Sequence, residues 1–451
     1  MRTTSFRSTK RKWDYIPEYA LAQTPRYTSY PPANRFSARV NSSKAQAAIA
    51  SLPAASSISL YLHIPFCKKL CWYCGCHTSV PTIADPVAPY VEALIHEIEI
   101  AGELAPGNAR VDHIHFGGGS PDILTPEQIM RIFVALRSSF QVGRFAEIAA
   151  ELDPRGARPE VIDAFASGGL TRASLGVQVL DVSVQKRINR IQTEDQIASA
   201  VRLLRAAGIV SLNLDMMYGL PGQTREHVVE TALFIAAQDA DRVATFGYAH
   251  VPWMKKHQNA IATDDLASGE ERFRQAEMAA SALETAGYLP IGFDHFAAPG
   301  DSLVAADRDG RLRRNFQGYT DDDAIALIGF GASAISSLPG LTYQNTTDTS
   351  TYKADIMAGR LPVVRGVAHT QADVRTGKLI ERILCDFEVN VPGDLLIAAC
   401  PQLTALTDAG LAQLSGTHLI VTDRGRPYVR NIAACFDPEI AHSVNRHSLA
   451  V

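Results

Sequence analysis

From residue 57 to residue 248 the chain switches repeatedly between two hydrophobic periods. In Ser57-Ile-Ser-Leu-Tyr-Leu-His-Ile64 apolar and polar side chains roughly take turns, the period of a strand. Over 85–104, Val91, Leu94, Ile95 and Ile98 share one face of a helix. Val111-Asp-His-Ile-His-Phe116 reads as a short strand running into Gly117-Gly118-Gly119-Ser120-Pro121. Thr125-Pro126-Glu127-Gln128 opens a helix, with Thr as cap, Pro in first position and Gln closing a capping box. Its core face is Ile129, Ile132, Phe133 and Leu136. Strands follow over 146–152 and 172–178, then a helix over 195–208 with Ile197, Ala200, Val201 and Leu204 inward and Gly208 as C-cap. Two more strands, 210–216 and 242–248, complete the series.

Strand ends therefore recur near 65, 116, 151, 178, 215 and 248. The later spacing is about one βα unit, ~30 residues. Six strands with helices between them predict an α/β fold, a parallel sheet closed wholly or partly into a barrel. A cysteine-rich loop (67–76), the glycine run, Glu151, Gln178, Asp215 and Tyr248-Ala249-His250 all fall at or just beyond strand C-termini. That end carries the chemistry in α/β barrels.

Beyond the series, a helix is expected over 263–286 and a hairpin over 416–427. Composition turns helical after about 361. The expected organisation is an N-terminal segment (1–50), a barrel with extensions (51–360) and a small, mostly helical C-terminal domain (361–451) of winged-helix character. No basic recognition helix stands out there, and the net charge of −4 gives no electrostatic case for nucleic acid. The 451 residues are 46% hydrophobic and 20% charged, ordinary for a soluble enzyme. No apolar run approaches the ~18–20 residues of a membrane span. Residues 1–12 are basic and Ser/Thr-rich without an apolar core, so a solvated terminus and a reducing cytoplasm are expected.

Composition matters most in one place. Four of the seven cysteines fall within ten residues, in His63-Ile-Pro-Phe-Cys67-Lys-Lys-Leu-Cys71-Trp-Tyr-Cys74-Gly-Cys76. Thiolates this close repel one another unless a metal or cluster neutralises them. Structural zinc draws on two separated knuckles, and Cys385, Cys400 and Cys435 are too scattered to supply a second. Disulfides require an oxidising compartment. The C-x2-C-x2-C run of bacterial ferredoxins does not match either. A compact three-cysteine loop instead suits a [4Fe–4S] cluster with one iron left open.

The C-x3-C-x2-C spacing after a strand, with Tyr73 before the last cysteine, resembles the signature of radical S-adenosylmethionine (SAM) enzymes. Within that superfamily the C-G-C ending, His-Ile-Pro-Phe before it, Pro25-Arg26-Tyr27-Thr28-Ser29-Tyr30-Pro31 and Arg314-Asn315-Phe316-Gln317-Gly318-Tyr319-Thr320 resemble the oxygen-independent coproporphyrinogen III oxidase family. The likeness runs from about Trp13 to Asp437. It implies a partial (β/α)6 barrel whose N-terminal segment covers the active site. Cys67, Cys71 and Cys74 would ligate the cluster, with Cys76 near it but not a ligand. Tyr61, Tyr73, Gly118, Glu151, Gln178, Arg190 and Asp215 would surround the first SAM. Gly119, Ser120, Ala249 and Ile335 match positions lining a second, so two SAM molecules are expected. Phe316 and Gln317 match positions required for activity. Where this branch has G-G-G-T-P-T the chain reads Gly-Gly-Gly-Ser-Pro-Asp122, which adds a charge the sequence does not explain.

The implied reaction is abstraction of a β-hydrogen from a propionate of coproporphyrinogen III by a 5′-deoxyadenosyl radical, with loss of CO2 and an electron to leave a vinyl group. A second round gives protoporphyrinogen IX. A reductant such as flavodoxin and a monomeric enzyme are expected. Four substrate carboxylates call for arginines at the pocket mouth, and Arg26, Arg313 and Arg314 are the candidates. Two readings compete with this one. A haem chaperone of the same superfamily shares the barrel and the C-x3-C-x2-C loop but not the other motifs, and a plain Fe–S electron carrier would not need the polar barrel face.

Overall fold

A computed structural model describes residues 13–81, 86–438 and 440; the basic segment 1–12 and Asp85 lie outside them. Six parallel strands form where the two-period pattern puts them: β1 (Ser57–Ile64), β2 (Arg110–Gly118), β3 (Gln141–Leu152), β4 (Arg172–Gln178), β5 (Ser211–Tyr218) and β6 (Arg242–Gly247). Helices Val87–Leu104, Pro126–Ser139, Pro159–Gly168, Glu194–Ala206 and Arg225–Ala237 lie between them. The capping box of Thr125 and Gln128 is formed, as is another at Thr193 and Gln196. Gly208, at φ +86°, closes its helix as the sequence predicts, with Ile209 N–H reaching back to Leu204 O at 3.0 Å.

The strands alternate rather than running apolar throughout, because only one face meets the helices. In β5, Leu212, Leu214 and Met216 are buried against the helical layer, while Ser211, Asn213 and Asp215 are half-buried on the other face. That inner, polar face lines the barrel. On the helical side Phe133 packs against Phe116 of β2 and Phe165, with ring centroids 5.3 and 6.4 Å away. A Cβ on Gly168 would come within 2.0 Å of the Phe133 ring, so this close helix packing needs glycine there. Truncating Phe133 would cost ~3–5 kcal/mol.

Past β6 the sheet grows in ways the periodicity did not reveal. Two short antiparallel strands, β7 (Leu289–Ile291) and β8 (His295–Ala297), cover its β6 edge. The hairpin β9 (Arg313–Asn315) and β10 (Gly318–Thr320) stands apart. β11 (Ala326–Phe330) then pairs parallel to β1, giving a seventh parallel strand where six were expected. β12 (Ile335–Leu338), β13 (Leu341–Asn345) and β14 (Val363–Ala368) extend that side antiparallel. The order β14-β13-β12-β11-β1-β2-β3-β4-β5-β6-β8-β7 has two ends, so the barrel is open.

Four expectations about the later chain change. The 263–286 helix begins only at Gly269 and runs to Thr285, because 263–265 form a tight 3-10 turn. The division at 361 falls just before β14, which belongs to the large sheet. The C-terminal region holds helices Gln371–Asp386 and Gly393–Asp408 but also a sheet of β15 (Glu388–Asn390), β16 (Ala412–Ser415) and β17 (His418–Val421). The hairpin turns at Gly416 (φ +63°), so it begins before the stretch read as a hairpin and ends at Val421.

The N-terminal segment packs on this C-terminal region. Ala20, Tyr27 and the barrel residue Phe273 join Leu379, Ile383, Leu403, Tyr428 and Ile432 in one apolar cluster. Tyr428 Oη donates to Asp14 O (2.7 Å) and accepts from Ile16 N–H (2.8 Å), and Tyr27 Oη donates to Asp437 Oδ2 (3.1 Å). Among the described residues no helix is long and apolar enough to cross a membrane.

Candidate active site

The cysteine loop leaves β1 and is tied down on every side by its backbone. Cys67 N–H bonds Ser79 O (2.9 Å), Trp72 N–H bonds Ile188 O (2.9 Å), and Asn189, in the left-handed region at φ +55°, donates its side-chain amide to Leu70 O (2.8 Å). From the loop after β6, Gln258 donates to Tyr73 O (2.9 Å) and Lys255 to Cys76 O (3.0 Å), and His257 Nε2 lies 2.8 Å from Cys74 O. Apart from Ser79, these clamps come from residues more than a hundred positions away, so no local motif showed them.

Two guanidiniums face the buried thiol of Cys71: Arg155 and Arg190, each 3.5 Å from Sγ. Asp153 holds both, accepting from Arg155 at 2.5 Å and from Arg190 at 3.2 Å. Arg190 also donates to Gly176 O (2.6 Å). Its expected place beside SAM is therefore shared with a structural one, linking β3, β4 and the cysteine loop. Asp153 and Arg155 were missed, although they continue the Ala-Glu-Leu-Asp-Pro run that gave Glu151. Cys67 Sγ lies 3.1 Å from Thr78 Oγ1. A hydrogen bond from Cys76 brings the Cys74 thiol down to about 7, while Cys76 itself remains exposed.

Does this donor set fit an iron–sulfur cluster? Among the described residues no three His, Cys, Asp or Glu side chains converge on a point suited to one metal ion. A four-iron cluster spreads its ligands wider than a single ion does. Three thiols on one clamped loop, with two guanidiniums at Cys71 to offset thiolate charge, fit such a group.

Across the inner face the strand register sets a row of polar side chains. Tyr61 of β1 is opposite His115 of β2, and Glu151 of β3 is opposite Ser174 of β4. Tyr61 Oη lies 3.0 Å from His63 Nδ1, and His115 Nε2 lies 3.0 Å from Glu151 Oε1. Burial works against ionisation of Glu151, but the His115 hydrogen bond and neighbouring charge outweigh it and hold the carboxyl below the usual range. His63, buried, is pulled down to about 4 and stays neutral. Asp215 accepts from Ser174 (2.9 Å) and Asn213 (2.6 Å), yet burial pushes it up to about 6. Gln178 ends β4 at φ +62°.

The three glycines are explained by protein neighbours. A Cβ on Gly117 would meet the Glu151 carboxylate at 3.1 Å, one on Gly118 (φ +104°) the His63 ring at 2.5 Å, and one on Gly119 the Phe66 carbonyl at 2.4 Å. They let β2 pass the cysteine loop before any ligand is considered. Asp122, the puzzling charge, is buried and accepts the Ser120 hydroxyl, so that hydroxyl is engaged internally; burial raises the Asp122 carboxyl.

The hairpin β9–β10 delivers Phe316 to Tyr61, ring centroids 4.7 Å apart, and Gln317 beside it. Ala249 follows β6, whereas Ile335 opens β12, beyond β11 on the other side of β1. Of the arginines expected at the pocket mouth, Arg314 is buried against Asp294 (3.0 Å) and Arg313 pairs with Glu381 (2.8 Å). Both are structural. Arg26 reaches the barrel rim, donating to Gly247 O at 3.0 Å.

An open α/β barrel with a clamped three-cysteine loop at the strand C-termini defines a radical SAM enzyme, and the profile of the radical SAM superfamily matches residues 61–235. An oxygen-independent coproporphyrinogen III oxidase of Bradyrhizobium diazoefficiens is 42% identical over 97% of this chain and 99% of its own. That of Paracoccus denitrificans is 41% identical over 92% and 94%. The structure of coproporphyrinogen III oxidase from Escherichia coli, a radical SAM enzyme, superposes with a TM-score of 0.87 at 36% identity, covering 92% of this chain and 97% of that one. The chain belongs to the oxygen-independent coproporphyrinogen III oxidase family.

Proposed function

We propose that the chain converts two propionate side chains of coproporphyrinogen III to vinyl groups, giving protoporphyrinogen IX in haem biosynthesis without oxygen. Each round removes CO2, one hydrogen atom and one electron from a propionate. The observation that carries the reading is the clamped cysteine loop set beside the polar row Tyr61–His115–Glu151 and the Phe316 hairpin.

Cys67, Cys71 and Cys74 would hold a [4Fe–4S] cluster. When bound, that cluster and SAM supply the one-electron cleavage that starts hydrogen abstraction. Glu151, kept ionised by His115, suits the ammonium end of SAM, and Asp215 suits ribose hydroxyls. Tyr73, Gly118, Gln178 and Arg190 complete that first site. Gly119, Ser120, Ala249 and Ile335 are assigned to a second SAM. Phe316 and Gln317 close the chamber over Tyr61 and exclude water from the reacting propionate. The N-terminal segment covers the mouth, a small acidic reductant such as flavodoxin supplies electrons, and the enzyme works as a cytoplasmic monomer.

Anaerobic incubation of the reconstituted, reduced protein with SAM and coproporphyrinogen III tests this directly. Vinyl product and 5′-deoxyadenosine are expected together. Formation of 5′-deoxyadenosine alone would remove the substrate assignment, and stoichiometric haem binding without turnover would favour a chaperone.

A further inference from the structure

The cysteine loop has one stretch that neither the cluster nor the clamps account for. Between Cys67 and Cys71 it presents Lys68 and Lys69 to solvent, beside thiols assigned to the cluster. The turn after helix Val182–Arg187 is bonded to the same stretch: Trp72 N–H reaches Ile188 O (2.9 Å) and Asn189 donates to Leu70 O (2.8 Å). That turn brings the exposed Lys186 and Ile191, 50% exposed, alongside the loop. Three ammonium groups from two elements thus share one face with an exposed apolar side chain.

None of the three lysines forms an ion pair with a carboxylate among the described residues. Neighbouring carboxylates are otherwise engaged: Asp153 by Arg155 (2.5 Å) and Arg190 (3.2 Å), Asp265 by Arg187 (2.6 Å) and Glu160 by Arg158 (3.6 Å). Asp181 caps its own helix, and Glu194 and Asp195 lie in the first turn of the next, where the helix dipole offsets them. Asp122, on which Lys68 bears, is buried, and that burial raises its carboxyl. The chain as a whole carries a net charge of −4, so this positive face runs against the overall charge and marks a place where an acidic surface is steered in.

Its position matters as much as its sign. A protein cannot enter the reaction chamber, where Phe316 lies on Tyr61 and Arg26 of the N-terminal segment bonds Gly247 O at the rim. Electron tunnelling falls off steeply with distance, so a protein donor has to dock where the cluster's ligands come nearest to solvent. At Lys68 and Lys69 a single loop separates solvent from Cys67 and Cys71.

We propose that Lys68, Lys69 and Lys186, with Ile191 among them, form the docking face for a small acidic one-electron carrier protein. The assignment rests on the reading that such a reductant feeds the cluster. One electron passes from the carrier, which is oxidised, to the cluster, which is reduced, and no bond is made or broken. An apolar contact ringed by charge suits a partner that must leave after each transfer, since such encounters bury little area.

The test follows anaerobic reduction of the reconstituted cluster by stopped-flow loss of its visible absorbance. The donors are reduced flavodoxin and photoreduced deazariboflavin, a small uncharged molecule that needs no docking face. Lys69→Glu/Lys186→Glu is expected to lower the second-order rate with flavodoxin about ten-fold or more at low salt and to flatten its salt dependence. The rate with deazariboflavin and the cluster's midpoint potential should match the wild type, which separates docking from damage to the loop. Lys44→Glu, on helix Ser42–Ala50 packed against β13 and β14, should behave as wild type with both donors. If the double variant does not hold its cluster, Lys186→Glu, outside the loop, decides. Wild-type flavodoxin rates in the loaded variants would overturn the docking face and leave the acidic-donor reading intact. A wild-type protein reduced by deazariboflavin but not by flavodoxin would bring down that reading and the face together, while vinyl product formed with deazariboflavin would still uphold the enzyme assignment.

Discussion

The rings of Tyr61 and Phe316 meet at 80° with centroids 4.7 Å apart, although 255 residues of chain separate them. Tyr61 is fixed in β1, buried and 3.0 Å from His63, whereas Phe316 rides on the tip of a two-stranded hairpin. The contact joins the parallel barrel to an element outside it.

Because the Phe316 ring is 37% exposed, Phe316→Ala should lower stability by no more than ~1.5 kcal/mol. Product formation should fall at least ten-fold with the cluster intact, since the chamber loses its closing wall. Phe316→Leu should sit between the two. Vinyl product quantified alongside a thermal melt separates these effects, and unaltered turnover in the alanine variant would contradict the assigned role.

Arg155 lies within 3.5 Å of Cys71 Sγ, but Asp153 keeps Arg190 as a second partner. Arg155→Gln should therefore retain the fold while removing positive charge beside Cys71, a proposed cluster ligand. Reduction adds an electron, so the cluster's midpoint potential should drop, on the order of 50 mV for ~1 kcal/mol of lost attraction. A redox titration followed by electron paramagnetic resonance would show it.

Glu97 is 2% exposed and accepts hydrogen bonds from Tyr352, Asn345 and the Gly331 amide, yet burial pushes it up to about 7. Its folded pKa exceeds the unfolded value, near 4.3, so the folded state binds more protons between those limits. Stability is then highest below about pH 4.3 for this group and is lost as pH rises toward about 7, by roughly 3 kcal/mol. Glu97→Gln should flatten this dependence in denaturant melts taken between pH 5 and pH 8. An equally steep slope in the variant would place its origin elsewhere.

Cys76→Ser should keep the cluster, because Cys76 is exposed and its bond to Cys74 can be made by a hydroxyl. Serine at Cys67, Cys71 or Cys74 should abolish it. Visible absorbance after anaerobic reconstitution distinguishes the four variants, and a colourless Cys76→Ser protein would count Cys76 as a ligand.

Much of the barrel was legible because it is built from local signals. Thr125 with Gln128 starts a helix, Gly208 ends one, and the apolar faces of 129–136 and 197–204 are all buried. Periodicity gave less where strands are short: β7 to β10 have three residues each, too few for any period to show. β11 pairs with β1 across more than 250 residues, and such a pairing leaves no local trace. Ile95 was assigned to a core face, yet it is only partly buried while Glu97 is fully so, since a buried carboxylate breaks the apolar pattern it sits in.

The same division runs through the site. By itself the sequence determined the three-cysteine loop, the strand ends that carry Glu151, Gln178 and Asp215, and the motifs of the family, because spacing and alternation are properties of neighbouring residues. Only the tertiary structure decided which charges those residues meet. Arg314 turned out to be held by Asp294, and Arg190 to bridge Asp153 and Cys71. Electrostatic partnership depends on distance through space and on burial, and neither is written along the chain.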